Sequence, residues 1–176
     1  MNSRFIFNAI SVIQFFILNN KVQDAIVYIS ELASFMRRIM ENSKKPIIPI
    51  EDAIKTLNEY LNLELKRLDN GFDYQLRNEL KSKEVWIPSM LLQPFVEDVI
   101  LHGFKALGKK GKLSICFSEC GNMIKLTIID NGLRRKGVDI FTRKDKSQNF
   151  TLKNIEIQNK SVGRRTQIEI MFPNDY

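Results

Sequence analysis

Cysteine is scarce in this chain of 176 residues, with only Cys116 and Cys120, four positions apart. A chain of this length builds its own core, so a disulfide framework is excluded. Both thiols read as reduced, in a cytosolic compartment. Neither has the partners or spacing of a zinc site. Histidine is scarcer still: His102 stands alone, which makes a Ser–His–Asp triad a poor reading. Long apolar runs are also missing. The most apolar stretch, Ala9 to Leu18, has ten residues and includes Ser11 and Gln14, whereas a membrane-spanning helix needs ~20. It carries neither a basic leader nor a small-residue cleavage site, so it does not read as a signal peptide. Any membrane anchor would lie outside these residues. There is no internal repeat and no low-complexity tract.

What is present is apolar and aromatic. Twelve Phe, four Tyr and one Trp, within 44% hydrophobic residues, are too much to leave solvated and exclude a disordered tail. The length suits one domain, or one domain with a helical extension. Lys and Arg outnumber Asp and Glu by 27 to 20, for a net charge of +7. Much of the excess falls late, at Lys109, Lys110, Lys112, Arg134, Arg135, Lys136, Arg143, Lys144, Lys146, Arg164 and Arg165. Solubilising loop charge and a phosphate-facing surface explain it equally well. A nucleic-acid binder would also need a recognition helix or an aromatic platform, and neither is visible, so that partner is disfavoured.

The first ~68 residues have helical periodicity. Ser3 to Leu18 carries two apolar rows, Phe5–Ala9–Val12–Phe16 and Ile6–Ile10–Ile13–Ile17, so this helix expects cover from two sides. A second helix shows a heptad seam at Val22, Ile26, Ile29, Ala33, Met36 and Met40, widened by Leu32 and Ile39. Asn19 and Asn20 turn between the two. An antiparallel hairpin that dimerises into a four-helix bundle covers both rows; a helix buried within one chain is the alternative. Residues 44–49 break the second helix. A third starts at Glu51, with Ala53, Ile54, Leu57, Leu61, Leu65 and Leu68 as its buried face, and ends at Asp69-Asn70-Gly71.

Beyond Gly71 the period changes to two. Phe72, Tyr74 and Leu76 alternate as a strand, and Pro88 is expected to open a helix reaching about Leu107. Leu113, Ile115 and Phe117 pair with Ile124, Leu126 and Ile128 in a hairpin turning at Cys120-Gly121-Asn122. Residues 131–147 read as a long, basic, mobile loop, and Ile168, Ile170 and Phe172 form the last strand before Pro173. The fold class is therefore α+β, with a mostly antiparallel sheet backed by helices. Trp86, the Phe set and Met36, Met40 and Met90 read as packing residues.

In this order the segments resemble the cytoplasmic part of LytS-type sensor histidine kinases, in which a dimerising phosphoacceptor hairpin precedes a Bergerat (GHKL) ATP-binding domain. Asn2-Ser3-Arg4-Phe5-Ile6-Phe7-Asn8 resembles the family's N-P-H-F-L-F-N. Tyr60-Leu61-Asn62-Leu63-Glu64 with Arg67 is similar to Y-L-x-I-E-x-x-R. The string from Ile87 to Glu97 resembles I-P-x-x-L-L-Q-P-L-V-E, and Glu97-Asp98-Val99-Ile100-Leu101-His102-Gly103 stands where the family has its N box, E-N-A-I-x-H-G. Asp130-Asn131-Gly132 matches the opening of D-N-G-x-G. The resemblance implies a hairpin over residues 1–45 and an ATPase-like domain over 46–176. It further implies ATP and Mg²⁺ as cofactors, Glu97 as the catalytic residue, and Asp98, His102, Asp130, Asn131, Gly132 and Thr166 at the nucleotide, with Asp98 on Mg²⁺. By itself, D-N-G is also an ordinary strand-ending turn.

The departures from the family pattern carry chemistry. The phosphoacceptor histidine aligns with Arg4, whose guanidinium stays protonated and has no lone pair to attack a phosphate. His102 aligns with the N-box histidine, which is not the acceptor. A protein made of this chain could not undergo ordinary histidine autophosphorylation. The N-box asparagine is Asp98, a carboxylate able to ligate Mg²⁺ but repelling triphosphate. The second glycine of D-N-G-x-G is Arg134. The family's G-x-G-L-x-N appears as Asn149-Phe150-Thr151-Leu152-Lys153-Asn154, and two arginines interrupt Gly163…Thr166. Lost glycines cost the loops the freedom to close on phosphates. The expected function is thus a two-component histidine kinase homologue, dimeric with itself or a related kinase, impaired in autophosphorylation and facing a response regulator. The alternative is a dimerising pseudokinase that does not bind ATP.

Overall fold

The computed structural model describes residues 3–69, 71–82, 84–104, 110–132, 156–162 and 165–173. Helices α1 (Ser3–Leu18) and α2 (Val22–Asn42) form a hairpin, followed by β1 (Ile47–Pro49), α3 (Ile50–Arg67), β2 (Phe72–Asn78) and β3 (Trp86–Pro88). Then come α4 (Gln93–Asp98), continued by a π-helical stretch over Val99–Phe104, and the strands β4 (Gly111–Cys120), β5 (Met123–Asp130), β6 (Glu156–Val162) and β7 (Arg165–Pro173).

The hairpin turn places Asn20 at φ 57°, a left-handed conformation that asparagine tolerates better than most residues. Of the two rows on α1, Phe5, Ala9 and Val12 are buried within the chain, while Ile10 and Ile17 face outward. On α2 the inward row is Ala25, Tyr28, Phe35 and Ile39. The seam from Val22 to Met40 is not that row. Val22, Ile26, Ile29 and Met40 are exposed, and Met36 is half-buried. The aromatic pair Tyr28 and Phe35 takes the inner side because it meets Phe16, Phe5 and Tyr60, with ring centroids 5.5–6.1 Å apart.

Helix α3 has Glu51 and Asp52 in its first turn and Lys66 and Arg67 in its last, both favourable to the helix dipole. Three ties bind it to α2: Lys66 to Glu31 at 2.6 Å, Arg38 to Glu59 at 2.9 Å, and Asn42 to Thr56 at 3.1 Å. Positions rise on α2 as they fall on α3, so the two helices run antiparallel.

The sheet has the order β2–β4–β5–β7–β6, with β2 parallel to β4 and the other pairs antiparallel. The turn joining β4 to β5 places Gly121 at φ 61°, a positive angle that glycine adopts without strain. Every second residue of β4, β5 and β7 points inward, and these rows join the apolar faces of the helices in one core. A separate two-stranded sheet pairs β1 with β3. This corrects one expectation: Pro88 closes β3, opposite Ile47, instead of opening a helix. Pro94 holds the first-turn position of α4, which starts only at Gln93. Strand β6 was not foreseen. Apart from Asn131 and Gly132, the basic loop at 131–147 lies outside the described residues, as do Arg134, Asn149 to Asn154 and Gly163.

Candidate functional site

The alternation that builds β5 puts a carboxylate inside the protein. Ile124, Leu126 and Ile128 point inward, and the next residue in that row is Asp130, buried with them. Burial pushes its carboxyl above the usual range; the Gly132 N–H, donating to Oδ1 at 2.7 Å, opposes the shift, and the Asp98 carboxylate adds to it. Oδ2 has no hydrogen-bond partner among the described residues. Among the described residues this leaves one oxygen of a buried carboxylate open to a further donor.

Three elements converge on Asp130. Thr166, half-buried at the start of β7, is its cross-strand partner. From the other side, the π-helical stretch brings Gly103 against Gly132. A Cβ added at Gly132 would lie 2.6 Å from the Gly103 Cα and 2.8 Å from Asp130 Oδ1, so glycine is required for this approach. Asp98, at the end of α4, and His102, one turn on, are 4.0 Å apart and both half-buried. Asn131 has another occupation. Its Oδ1 accepts from the Lys112 N–H at 2.7 Å, and its Nδ2 donates to the Lys110 carbonyl at 3.3 Å, so its side chain fastens β4 to the end of β5.

Glu97 faces a different neighbourhood. Burial raises its carboxyl above the usual range, a hydrogen bond with Gln93 opposes this, and the Glu64 carboxylate reinforces it. Glu64 is buried on α3, where Arg67 grips its Oε2 through Nε at 2.8 Å and Nη2 at 2.5 Å. Tyr60 is within electrostatic reach of both carboxylates; burial, then Glu64 and Glu97, push its hydroxyl well above its usual value. Phe5, the residue after the exposed Arg4, packs on Tyr60 with ring centroids 5.5 Å apart.

The structure thus assembles Asp98, His102, Asp130, Gly132 and Thr166 in one place, sets Glu97 on the inner side of the same helix, and gives Asn131 a structural use. Two contributors stand in the matched motifs without being picked as site residues: Gly103, the last residue of the N-box match, and Glu64, within the match to Y-L-x-I-E-x-x-R. Among the described residues no cluster of three or more acidic, histidine or cysteine side chains could hold a metal by itself. Asp98 alone suits Mg²⁺ arriving with phosphates, since that ion takes one or two carboxylates and keeps its other oxygens. No helix among the described residues is long and apolar enough to cross a membrane.

Comparison with known proteins bears on the family and the fold. A family model described as histidine kinase matches residues 1–72. The chain is 30% identical over 135 residues to the sensor histidine kinase YpdA of Escherichia coli K12, covering 75% of this chain and 23% of that protein. It is 25% identical over 132 residues to the sensor protein LytS of Bacillus subtilis, covering 75% and 22%. The chain therefore spans about a quarter of the length of the curated relatives it matches. In fold it is similar to the Acinetobacter baumannii histidine kinase AdeS, with a TM-score of 0.51 and 13% identity over 100% of both chains. It is also similar to the histidine kinase domain of the Erythrobacter litoralis blue-light activated kinase EL346, with a TM-score of 0.54 and 13% identity over 82% of this chain and 74% of that one.

Proposed function

Because the chain belongs to the LytS-type sensor histidine kinase family, we propose that it is a dimeric, cytoplasmic kinase module of two-component signalling that does not phosphorylate itself. One feature of the sequence carries this reading: Arg4 aligns with the acceptor histidine of the family, and the only histidine, His102, lies 4.0 Å from Asp98. A guanidinium cannot take a phosphoryl group there.

The adenine end of a nucleotide fits what remains. Asp130 offers an open buried acceptor, Thr166 stands opposite, and Asp98 would hold Mg²⁺. The nucleotide would supply the transferable phosphoryl group, while Glu97 would orient the acceptor side. The reading divides the chain at residue 45, with the hairpin as dimerisation unit. In support, Phe7, Ile10, Ile17, Val22, Ile26, Ile29 and Met40 are 45–70% exposed. So many exposed apolar side chains on one hairpin suit a second copy of the chain. A related kinase with a matching hairpin is the alternative occupant, and a response regulator is the expected downstream partner.

A thermal-shift titration with ATP, with and without Mg²⁺, tests the nucleotide side. A ligand at a hundredfold excess over Kd raises stability by about 2.7 kcal/mol. A saturable Mg²⁺-dependent shift supports a retained site. No shift at millimolar nucleotide favours the pseudokinase reading, in which the hairpin face is the function.

A further inference from the structure

Four of the buried polar residues meet at one junction: Asn42 at the end of α2, Thr56 on α3, Ser89 after β3, and Gln93 opening α4. Asn42 Nδ2 donates to Thr56 Oγ1 at 3.1 Å. The Asn42 carbonyl accepts the Ser89 hydroxyl at 2.8 Å and the Lys45 N–H at 3.0 Å, and the Ser89 N–H donates to the Pro46 carbonyl at 3.0 Å. Ser89 is thus tied twice to the segment leaving α2. The next residue, Met90, is held at φ 63°, a left-handed conformation that a side chain adopts only where its surroundings impose it. Three residues later α4 begins, and Gln93 bonds Glu97 one turn along. A partly open, mainly apolar pocket of about 30 Å³ lies beside these groups, with Asn42, Thr56 and Gln93 as its polar lining. The junction therefore joins four buried polar groups and a left-handed residue beside a small pocket, unlike the uniformly apolar core around it.

We propose that Asn42 and Ser89 are positioning residues that transmit the placement of α2 to α4, and so set where Glu97 and Asp98 stand. The proposal rests on the reading of those two carboxylates as the reacting end of a nucleotide site, but the mechanical link can be measured without nucleotide. A displacement of the hairpin, such as a signal would cause, pulls on the Asn42 carbonyl. Ser89 follows through its hydroxyl, and the turn at Met90 re-aims the first turn of α4.

The test is hydrogen exchange followed by mass spectrometry on the full chain and on Ser89→Ala, with Thr56→Val as a second variant that keeps shape. Ile124→Val, remote in the sheet, serves as a control for lost stability. Removing one donor to a buried acceptor is expected to raise local opening of residues 89–104 about five- to tenfold while β4 and β5 keep their protection. Ser89→Thr, which retains the hydroxyl, restores the parent pattern. Unchanged exchange at 89–104, or an equal rise in every segment as with Ile124→Val, overturns the proposal. If the parent shows no nucleotide shift yet Ser89→Ala loosens α4 selectively, the link stands and the nucleotide reading fails. If nucleotide binds and the link is real, Ser89→Ala also lowers the Mg²⁺-dependent part of the affinity with the Mg²⁺-free part unchanged.

Discussion

Replacing Gly132 and Gly103 by alanine, one at a time, probes the closest approach in the candidate site from both sides. At Gly132 the new methyl would meet the Gly103 Cα at 2.6 Å, the Gly103 carbonyl carbon at 2.8 Å and Asp130 Oδ1 at 2.8 Å. Two of these are backbone atoms that cannot swing aside, so the π-helical stretch must move away from the end of β5. Overpacking of this kind costs about 1–3 kcal/mol, and strain on the Gly132 N–H bond to Asp130 adds about 1 kcal/mol. At Gly103 the nearest atoms to a new methyl lie at 3.6 Å, which is ordinary contact, and alanine is favoured over glycine in a helix by about 0.5–1 kcal/mol. Urea unfolding should therefore place Gly132→Ala about 2–4 kcal/mol below the parent and Gly103→Ala level with it or above. A Gly132→Ala variant as stable as the parent, or a reversed order of the two, would refute the close approach as described.

Other perturbations follow from the same geometry. Asp130 titrates above its unfolded value, so its contribution to stability is full at low pH and is lost as pH rises through the folded pKa. Asp130→Asn should thus be at least as stable as the parent at neutral pH, with a flatter stability profile above the ordinary carboxylate range, and should abolish any nucleotide shift; a clearly lower neutral midpoint argues against burial as the cause. Arg67→Ala strands the Glu64 carboxylate, whose side chain is 1% exposed, and is expected to cost about 3 kcal/mol. Adding Glu64→Gln should recover most of it, and a loss below about 1 kcal/mol in the single variant contradicts the pairing. Ile26→Asp on the exposed face should convert a dimer to a monomer in sedimentation equilibrium while circular dichroism stays unchanged; a dimer that persists moves the interface elsewhere.

Much of this was legible in the sequence, for reasons that differ by element. Strands β4, β5 and β7 announced themselves because a sheet covered on one face forces strict alternation, and the same alternation explains the burial of Asp130. Helix α1 was bounded correctly, since Asn19 and Asn20 interrupt its rows. On α2, two apolar rows are equivalent to periodicity, and only contact with Phe16, for Tyr28, and with Phe5 and Tyr60, for Phe35, decides which row turns inward. The start of α4 was misplaced because proline suits both a strand end and a first helical turn. What separates Pro88 from Pro94 is the pairing of β3 with the three residues of β1, too short a strand to read from pattern. Asn42, Thr56 and Ser89 look like cap and turn residues in a sequence. Their burial together depends on α2, α3 and β3 meeting, which is tertiary information. Thr166 is named from its resemblance to a closing G-T motif, and its place opposite Asp130 comes from strand register, which that motif does not contain.

The absence of self-phosphorylation is tested most directly by incubating the protein with γ-labelled ATP and Mg²⁺, then treating it with acid and with base. Arg4 at the acceptor position predicts no protein-bound label above background. Label that is lost in acid and kept in base would mean a phosphoramidate, on His102, the only histidine, or on a Lys or Arg side chain, and would contradict the account.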